Sequence, residues 1–284
     1  PLGPVIERYA DVFRAAGLNY TETFTSLYES KPADLSAMEA VAGTKTGKWI
    51  GIAPFAKHRG KIYPVDDMEQ VVARLSENED YTIFLLGGRG YEEAVLEQWA
   101  FQYPRVKSVV GRYSLDNELA LISRLDVLLC MDSANMHFAS LVDTKVISVW
   151  GATHPYAGFY GYHQDPKNAV QLDLPCRPCS VFGQKLCFRG DWACMTQITP
   201  EMIVDKFHLA EMKVVTNPAY PFLADFFCHL SDRFETEGTT IYEGRNVLKR
   251  FNIEGCELVV KSFKVPFFVN RVVYALFRKS KAFV

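Results

Sequence analysis

Residues 124–151 read RLDVLLCMDSANMHFASLVDTKVISVWG, and this stretch decides the fold class. The apolar run LDVLLCM (125–131) is typical of a strand buried on both faces. ANMHFASLVDT (134–144) reads as a helix, and KVISVWG (145–151) is again strand-like. A strand, a helix and a second strand in this order indicate a parallel βαβ unit with a right-handed crossover.

The same alternation extends back from this stretch to residue 48. Further strand-like runs are WIGIAPF (49–55), YTIFLLGG (81–88) and RVKSVVG (105–111). Helical runs between them are VDDMEQVVARLSE (65–77), with a capping box predicted at Asp66 and Glu69, YEEAVLEQWAFQYP (91–104), and SLDNELALISR (114–124), with Ser114 predicted as N-cap. We therefore predict an α/β fold with a Rossmann-like parallel sheet over about residues 48–151.

The pattern predicts three segments along the chain. VIERYADVFRAAG reads as a first helix ending at Gly17, and residues 19–47 read as a polar, irregular linker, so residues 1–47 form an inter-domain helix and linker. Residues 48–210 form the Rossmann-like domain, closed by the helix QITPEMIVDKF with Thr199 as N-cap. The character of the sequence changes after that helix, and residues 211–284 form a separate segment.

Composition excludes several classes of protein. The chain has 284 residues, 49% of them hydrophobic, and a formal net charge of -2, which gives no overall attraction to nucleic acid. Its apolar runs are shorter than the roughly 20 residues that span a bilayer. The first residues lack the features of a signal peptide, so we expect a cytoplasmic protein, and because no Met begins the chain its start looks cut.

Polar clusters follow four of the predicted strands. They are APFAKHRGK, GGRGYEE, MDSANMH and WGATHP. Ligands of parallel sheets bind beyond the carboxyl ends of the strands, so these clusters predict one binding rim.

The turn Asp132–Ser133–Ala134 is the most informative of these clusters. It opens a helix whose first N–H groups lack partners and suit a phosphate or diphosphate, and Ser133 can add a hydroxyl donor. The Asp132 carboxylate can accept hydrogen bonds from sugar hydroxyls, and His137 lies one turn further along. The alternative is that Asp132 or Ser133 only caps the helix and that His137 is a core residue.

MDSANMHFASLVDTKVISVWGATHP resembles the signature of glycosyltransferase family 9, the heptosyltransferases of lipopolysaccharide synthesis. The resemblance implies a GT-B fold, of which residues 1–206 resemble only the C-terminal half, and a nucleoside-diphosphate sugar as donor, commonly ADP-heptose. It departs from the family at Ala134, where Gly is usual, and at Lys145, where Pro is common. If the backbone at Ala134 needed a positive φ, the alanine would cost about 1 kcal/mol.

The resemblance also assigns roles to individual residues. Lys61 in KHRGKIYP matches the lysine that neutralises the donor phosphates, against the alternative of a solvated surface lysine. Glu92, preferred over Glu93, matches the glutamate that bonds the ribose, although either could be a first-turn acid. Asp132, Ser133, Ala134 and His137 match positions lining the diphosphate and donor sugar.

The implied reaction is an inverting transfer to a lipopolysaccharide core or lipid A precursor, with no cofactor required. An acceptor hydroxyl attacks the anomeric carbon, a carboxylate removes its proton and the diphosphate leaves. In the family that base resides in the N-terminal half, so this chain is expected to bind the donor without completing the reaction.

Four cysteines follow the domain's last strand in a C-x2-C-x7-C-x6-C pattern: Cys176, Cys179, Cys187 and Cys194. A structural four-thiolate zinc site is one interpretation. Reduced or unpaired thiols are the other, since the second pair lacks the C-x2-C spacing.

Residues from Met212 onward resemble the opening of the lipopolysaccharide (Kdo) kinase family. Lys261 in CELVVKSFK then matches the lysine that pairs with ATP phosphates, against the alternative of an edge-strand lysine. Residues 241–284 carry nine Lys and Arg against three Asp and Glu, a net charge of +6, which predicts contact with anionic membrane. We expect a small α+β sheet resembling a kinase N-lobe that is either an incomplete kinase or a noncatalytic basic module, and a junction of two reading frames is a further alternative.

Overall fold

The computed structural model describes residues 2–19, 21–211, 222–228, 230–244 and 246–263. The chain divides into two compact units, residues 1–211 and residues 212–284. The roles predicted for these segments remain predictions, and residues 212–221, 229, 245 and 264–284 of the segment predicted to resemble a kinase lie outside the described residues.

The first unit contains a six-stranded parallel sheet, which confirms the predicted α/β class. Its strands are β1 (Lys48–Ala53), β2 (Tyr81–Leu85), β3 (Val106–Ser108), β4 (Val127–Met131), β5 (Val146–Val149) and β6 (Ala169–Val170). Their spatial order is β3-β2-β1-β4-β5-β6, and every neighbouring pair is parallel. The short strand β6, which the apolar pattern did not reveal, extends the sheet beyond β5.

Helices connect the strands and cover both faces of this sheet. They are α1 (Val5–Ala15), α2 (Glu39–Ala42), α3 (Val65–Ser76), α4 (Tyr91–Gln102), α5 (Leu115–Ile122), α6 (Ala134–Leu141), α7 (Ala193–Thr196) and α8 (Pro200–Glu211). Ser114 caps α5 as predicted, because its hydroxyl accepts the Asn117 N–H. The capping box predicted at Asp66 is wrong: α3 begins at Val65, directly after Pro64, and Asp66 already lies in its first turn.

Alternate residues of each strand enter two separate core layers. Ile50 and Ile52 of β1 pack in one layer, whereas Trp49 and Ala53 pack in the other. Met38 and Ala42 are buried in the second layer. The predicted linker is therefore not irregular throughout, because its end forms a short helix that covers the sheet.

The strand order reverses between β1 and β4, which are direct neighbours. The chain runs outward from β1 through β2 to β3 and then returns to begin β4. At such a switch point the loops after the two central strands diverge to opposite faces and leave a crevice. The segments after Ala53 and after Met131 therefore border the same opening.

The second unit contains an antiparallel sheet of three strands, as expected for a small α+β segment. The helices α9 (Leu223–Cys228) and α10 (Leu230–Thr236) precede β7 (Thr239–Glu243), β8 (Asn246–Ile253) and β9 (Cys256–Phe263). Phe226, Phe234 and Phe251 form its buried centre. Across the described parts of both units, no helix combines the length and apolarity that crossing a membrane requires.

Candidate functional site

A cavity of about 630 Å³ opens beyond the carboxyl ends of β1, β4 and β5. It is the place where the switch-point geometry predicts a ligand. All six residues predicted to bind the donor line it: Lys61, Glu92, Asp132, Ser133, Ala134 and His137.

Lys61 and Asp132 form an ion pair at the floor of this cavity. Lys61 Nζ lies 2.8 Å from Asp132 Oδ2, and their side chains are only 17% and 7% exposed. The Thr153 hydroxyl donates to the same carboxylate oxygen at 2.7 Å. Lys61 is therefore not the solvated surface lysine of the alternative interpretation, because burial and a specific partner hold its ammonium group in the cavity.

Ser133 occupies the N-cap position of α6 without capping it. The helix begins at Ala134, and no side-chain hydrogen bond reaches its first N–H groups from Ser133. Ser133 Oγ is buried and has no hydrogen-bond partner in the structure. A buried hydroxyl without a partner costs free energy, so this atom and the adjacent helix N-terminus are suited to an anionic ligand that supplies acceptor oxygens.

Glu92 and Glu93, which the sequence left as alternatives, have different surroundings. The Glu92 carboxylate lines the cavity and accepts the Gly88 N–H at 2.6 Å. The Glu93 carboxylate accepts the Gly90 N–H at 3.4 Å and completes the capping box of α4. Glu92 is thus the glutamate available to a ligand, and Glu93 belongs to the helix end.

Three histidines line the cavity, His58, His137 and His154, and burial lowers the pKa of the last two. Desolvation lowers the pKa of His137, and the Lys61 charge lowers it further, although Asp132 acts in the opposite direction. Desolvation and the Arg177 charge lower the pKa of His154, which Asp173 partly offsets. His137 is exposed and is not the core residue of the alternative interpretation.

Aromatic side chains and one threonine complete the site, and the sequence analysis did not single them out. Phe55, Trp150, His154, Phe159 and Phe182 line the cavity, and Thr153 lies beneath it. Thr153 and His154 fall in WGATHP, a cluster that the sequence placed on the rim without assigning roles. Phe182 comes from a later loop that no strand-end rule could place there.

That later loop, residues 176–194, carries the four cysteines and is called the cysteine-rich loop below. Its four cysteines are free thiols. Burial raises the pKa of Cys194, whereas at Cys187 partial desolvation is outweighed by N–H groups of Trp192, Arg189 and Gly190, which lower the pKa. Among the described residues no three His, Cys, Asp or Glu side chains form a group able to hold a metal ion, so the predicted four-thiolate arrangement is not assembled here.

Lys261 lies in the second unit, on β9. It is exposed and pairs in register with Leu248 of β8. Its position on a strand agrees with both interpretations of this lysine, and its predicted ATP contact stays a prediction.

Comparison with known proteins relates the first unit to sugar-transferring enzymes. Residues 2–187 match the profile of glycosyltransferase family 9 (heptosyltransferase). Lipooligosaccharide heptosyltransferase 2 of Campylobacter jejuni is 26% identical over 179 residues, which are 61% of this chain and 54% of the relative. The chain therefore spans about half the length of the curated relative that it matches.

Two solved structures share the fold. The E. coli heptosyltransferase WaaC with ADP aligns with a TM-score of 0.50 at 17% identity, over 72% of this chain and 56% of that one. The glycosyl transferase family 9 structure from Veillonella parvula aligns with a TM-score of 0.57 at 15% identity, over 74% of this chain and 60% of that one. These likenesses show the mixed α/β architecture with its six-stranded parallel sheet.

Proposed function

The chain belongs to glycosyltransferase family 9 (heptosyltransferase), and we propose that its first unit binds the nucleoside-diphosphate sugar of a transfer reaction. One observation carries this proposal: a buried ion pair, an unpartnered buried hydroxyl and a helix N-terminus meet at one cavity. Each of the three favours an anion with several acceptor oxygens, as a diphosphate is.

In this proposal each side chain has a distinct task. The Lys61 ammonium neutralises charge on the departing diphosphate, and Ser133 Oγ and the first N–H groups of α6 donate to its oxygens. Asp132 holds Lys61 in place through Oδ2, the oxygen that makes both observed contacts. Its other carboxylate oxygen, Oδ1, accepts hydrogen bonds from sugar hydroxyls. Glu92 accepts hydrogen bonds from the ribose, and Ala134 allows the phosphates to approach the helix end.

The reaction that we propose is transfer of a sugar with inversion at its anomeric centre, and the sugar is heptose carried by ADP.

 The inversion follows from a direct attack by an acceptor hydroxyl on the face of the sugar opposite the leaving diphosphate. The acceptor is a sugar of the lipopolysaccharide core or a lipid A precursor. The general base is proposed to lie in the half of the family fold that these residues do not include, so this chain carries mainly the donor-binding half. The proposal places the protein in the cytoplasm, at the inner face of the membrane where such acceptors are built.

Titration calorimetry with ADP, ADP-heptose and GDP tests donor binding. We expect ADP and ADP-heptose to bind below millimolar concentration, and Lys61→Met to weaken ADP binding by about tenfold or more, because the buried charge facing the phosphates is lost. Lys45→Met is the matched control: Lys45 also pairs with an aspartate, Asp126, at 2.8 Å, but at the opposite end of β4. No binding by the unaltered chain, or equal effects of the two substitutions, would overturn the proposal.

A separate proposal concerns residues 211–284, which we infer to be a noncatalytic module related to the beginning of the Kdo kinase family, with a net charge of +6 over residues 241–284. Its support is a lysine, Lys261, on the third strand of an antiparallel sheet, together with exposed Arg250 nearby in the same sheet. Sedimentation with anionic vesicles at low and high salt tests the basic surface, since electrostatic binding must weaken as salt rises. Phosphorylation of a Kdo-containing lipid by radiolabelled ATP would contradict the noncatalytic assignment.

A structural zinc ion on the four cysteines is a third and independent proposal. It is supported by the four free thiols and by the N–H groups that lower the pKa of Cys187, since a thiolate is the form that binds zinc. It requires the cysteine-rich loop to draw its sulfurs closer together than they are here. Elemental analysis of protein purified without chelator tests it, and less than about 0.2 zinc per chain would exclude the site.

A further inference from the structure

Gly183 of the cysteine-rich loop lies directly against the side chain of Lys61. A Cβ atom added to Gly183 would stand 2.7 Å from Lys61 Cγ and 3.1 Å from Cε, closer than real Cβ contacts. The Gly183 backbone has a φ of +79°, a conformation that glycine adopts without strain. The absence of a side chain here therefore leaves room for the stem of Lys61.

Hydrogen bonds join this part of the loop to the segments that carry Lys61 and Thr153. The Gly60 N–H donates to the Gly183 carbonyl at 3.3 Å, and the Ala152 N–H donates to the Gly60 carbonyl at 2.9 Å. The Ala152 carbonyl accepts from the N–H groups of Cys179 and Ser180 at 3.1 and 3.2 Å. Three stretches distant in sequence are thus fastened together below the cavity.

Arg177, at the start of the same loop, holds the segment that contains Thr153. Its guanidinium donates to the Thr153 carbonyl at 2.9 Å and also to the carbonyls of Gly151 and Leu172. The guanidinium of Arg177 is half-buried, and this desolvation lowers its pKa. Arg177 therefore fixes the backbone from which the Thr153 hydroxyl reaches Asp132.

We propose that residues 177–183 of the cysteine-rich loop position the Lys61–Asp132 pair, with Gly183 as the positioning residue for Lys61. A side chain at position 183 displaces the Lys61 stem and moves its ammonium group away from Asp132 Oδ2. The consequence for a bound diphosphate rests on the proposed function, whereas the placement of Lys61 does not. The loop then forms one wall of the binding site, in addition to any role of its cysteines.

Gly183→Ala and Gly190→Ala form a matched pair of variants in the same loop. Gly190 has a φ of +78°, almost the value at Gly183, but nothing lies within 4 Å of an added Cβ. An alanine therefore takes nearly the same unfavourable φ at both positions, and only Gly183→Ala meets Lys61. We expect Gly183→Ala to weaken ADP binding about tenfold and Gly190→Ala to change it less than about twofold.

A second measurement needs no ligand. Acetylation of lysine amines by an N-hydroxysuccinimide ester, followed by peptide mass spectrometry, compares Lys61 with the exposed Lys57 in the same protein. Enclosure and the ion pair slow modification of Lys61, and we expect Gly183→Ala to speed it about fivefold while Gly190→Ala leaves it unchanged. If Gly183→Ala folds poorly, Gly183→Asn is the second variant, because asparagine tolerates a positive φ better than other residues with a side chain.

The outcomes separate this proposal from the proposed function. Unchanged modification of Lys61 in the Gly183 variant would overturn the positioning role, whatever happens to ADP. Faster modification with no ADP binding by the unaltered chain would support positioning and overturn the proposed function. In the Lys61→Met background Gly183→Ala should weaken ADP binding no further, and a full additional loss would contradict action through Lys61.

Discussion

Two ion pairs, one in each unit, have the same length but different surroundings. Lys61–Asp132 and Arg250–Glu257 are each 2.8 Å long. The first pair is 17% and 7% exposed, whereas the second is 55% and 61% exposed. Because water screens the second pair and not the first, equal distances imply unequal energies and unequal consequences when one partner is removed.

The two pairs differ in the desolvation free energy that folding must overcome to form them. Burying the Lys61 and Asp132 charges costs desolvation free energy that their attraction only partly returns. Folding does not require such a pair, since apolar residues of similar size would fill the space as well. A buried pair at the floor of a cavity is better explained by a ligand, whereas the pair on the second unit's sheet is explained by solubility alone.

The largest effect is expected from Asp132→Ala, which leaves the enclosed Lys61 ammonium without its partner. We expect the free energy of unfolding of the first unit to fall by about 3 kcal/mol. All four tryptophans lie within residues 1–211, so urea denaturation followed by tryptophan fluorescence reports this unit. The double variant Lys61→Met/Asp132→Asn should lose much less stability, because neither charge remains. A loss below about 1 kcal/mol in Asp132→Ala would contradict the view that Lys61 is left as a buried, unpaired charge.

A smaller effect of opposite sign is expected from Ser133→Ala. Removing a buried hydroxyl that has no partner should stabilise the first unit by about 1 kcal/mol while weakening ADP binding. Ser148→Ala is the matched control, because Ser148 Oγ is also buried but accepts the Trp150 Nε1–H at 2.8 Å. Ser148→Ala should lower the free energy of unfolding of the first unit. A change of the same sign in both variants would show that the Ser133 hydroxyl is not an unsatisfied group.

The pH dependence of ADP binding tests whether His137 faces the anion. Its pKa lies below the ordinary value in the free protein, so the ring is neutral at pH 7. A bound diphosphate favours the charged ring and raises that pKa, so affinity should increase, by about threefold, as pH falls from 8 to below 6.5. This increase in affinity should disappear in His137→Asn. It should persist in His154→Asn, because His154 Nδ1 accepts the Tyr156 N–H in the structure.

The smallest effect is expected from Glu257→Gln in the exposed pair. We expect stability of the second unit to change by only about 0.5 kcal/mol, and the change to vanish at high salt. Calorimetric unfolding at two salt concentrations measures it. A loss comparable to that of Asp132→Ala would remove the contrast between the two pairs.

Much of the first unit follows from its sequence, because its strands are continuous apolar runs and its helices are periodic. The rim also follows, since parallel strands bring their carboxyl ends to one edge. Lys61, Glu92 and Asp132 could be placed at this rim because each lies in the segment that follows a different strand. The capping prediction failed at Asp66, because the N-cap of α3 is Pro64, two residues before the acid that the pattern suggested.

The position of the cysteine-rich loop beside the cavity could not be predicted from the sequence. Phe182 lines the cavity because backbone hydrogen bonds join its loop to the segments that follow β1 and β5, from Gly60 N–H to the Gly183 carbonyl and from residues 179 and 180 to the Ala152 carbonyl. Such bonds leave no trace in side-chain patterns. Met38 and Ala42 were missed for a different reason, because a 3₁₀ turn followed by a four-residue helix is too short for a periodic signal.

The adjacency of β1 and β4 also constrains the order in which the chain can fold. During synthesis β1 can pair with β2 early, but its other edge stays open until residues 127–131 have been made. That edge is apolar and unpaired in the interval, which is the kind of surface that recruits other chains. Lys61 and Asp132 stand 71 positions apart in the sequence, so the ion pair cannot form before β4 has closed this edge. A polypeptide interrupted shortly before β4 would present the aggregation-prone strand, and its binding site would lack Asp132, Ser133 and His137.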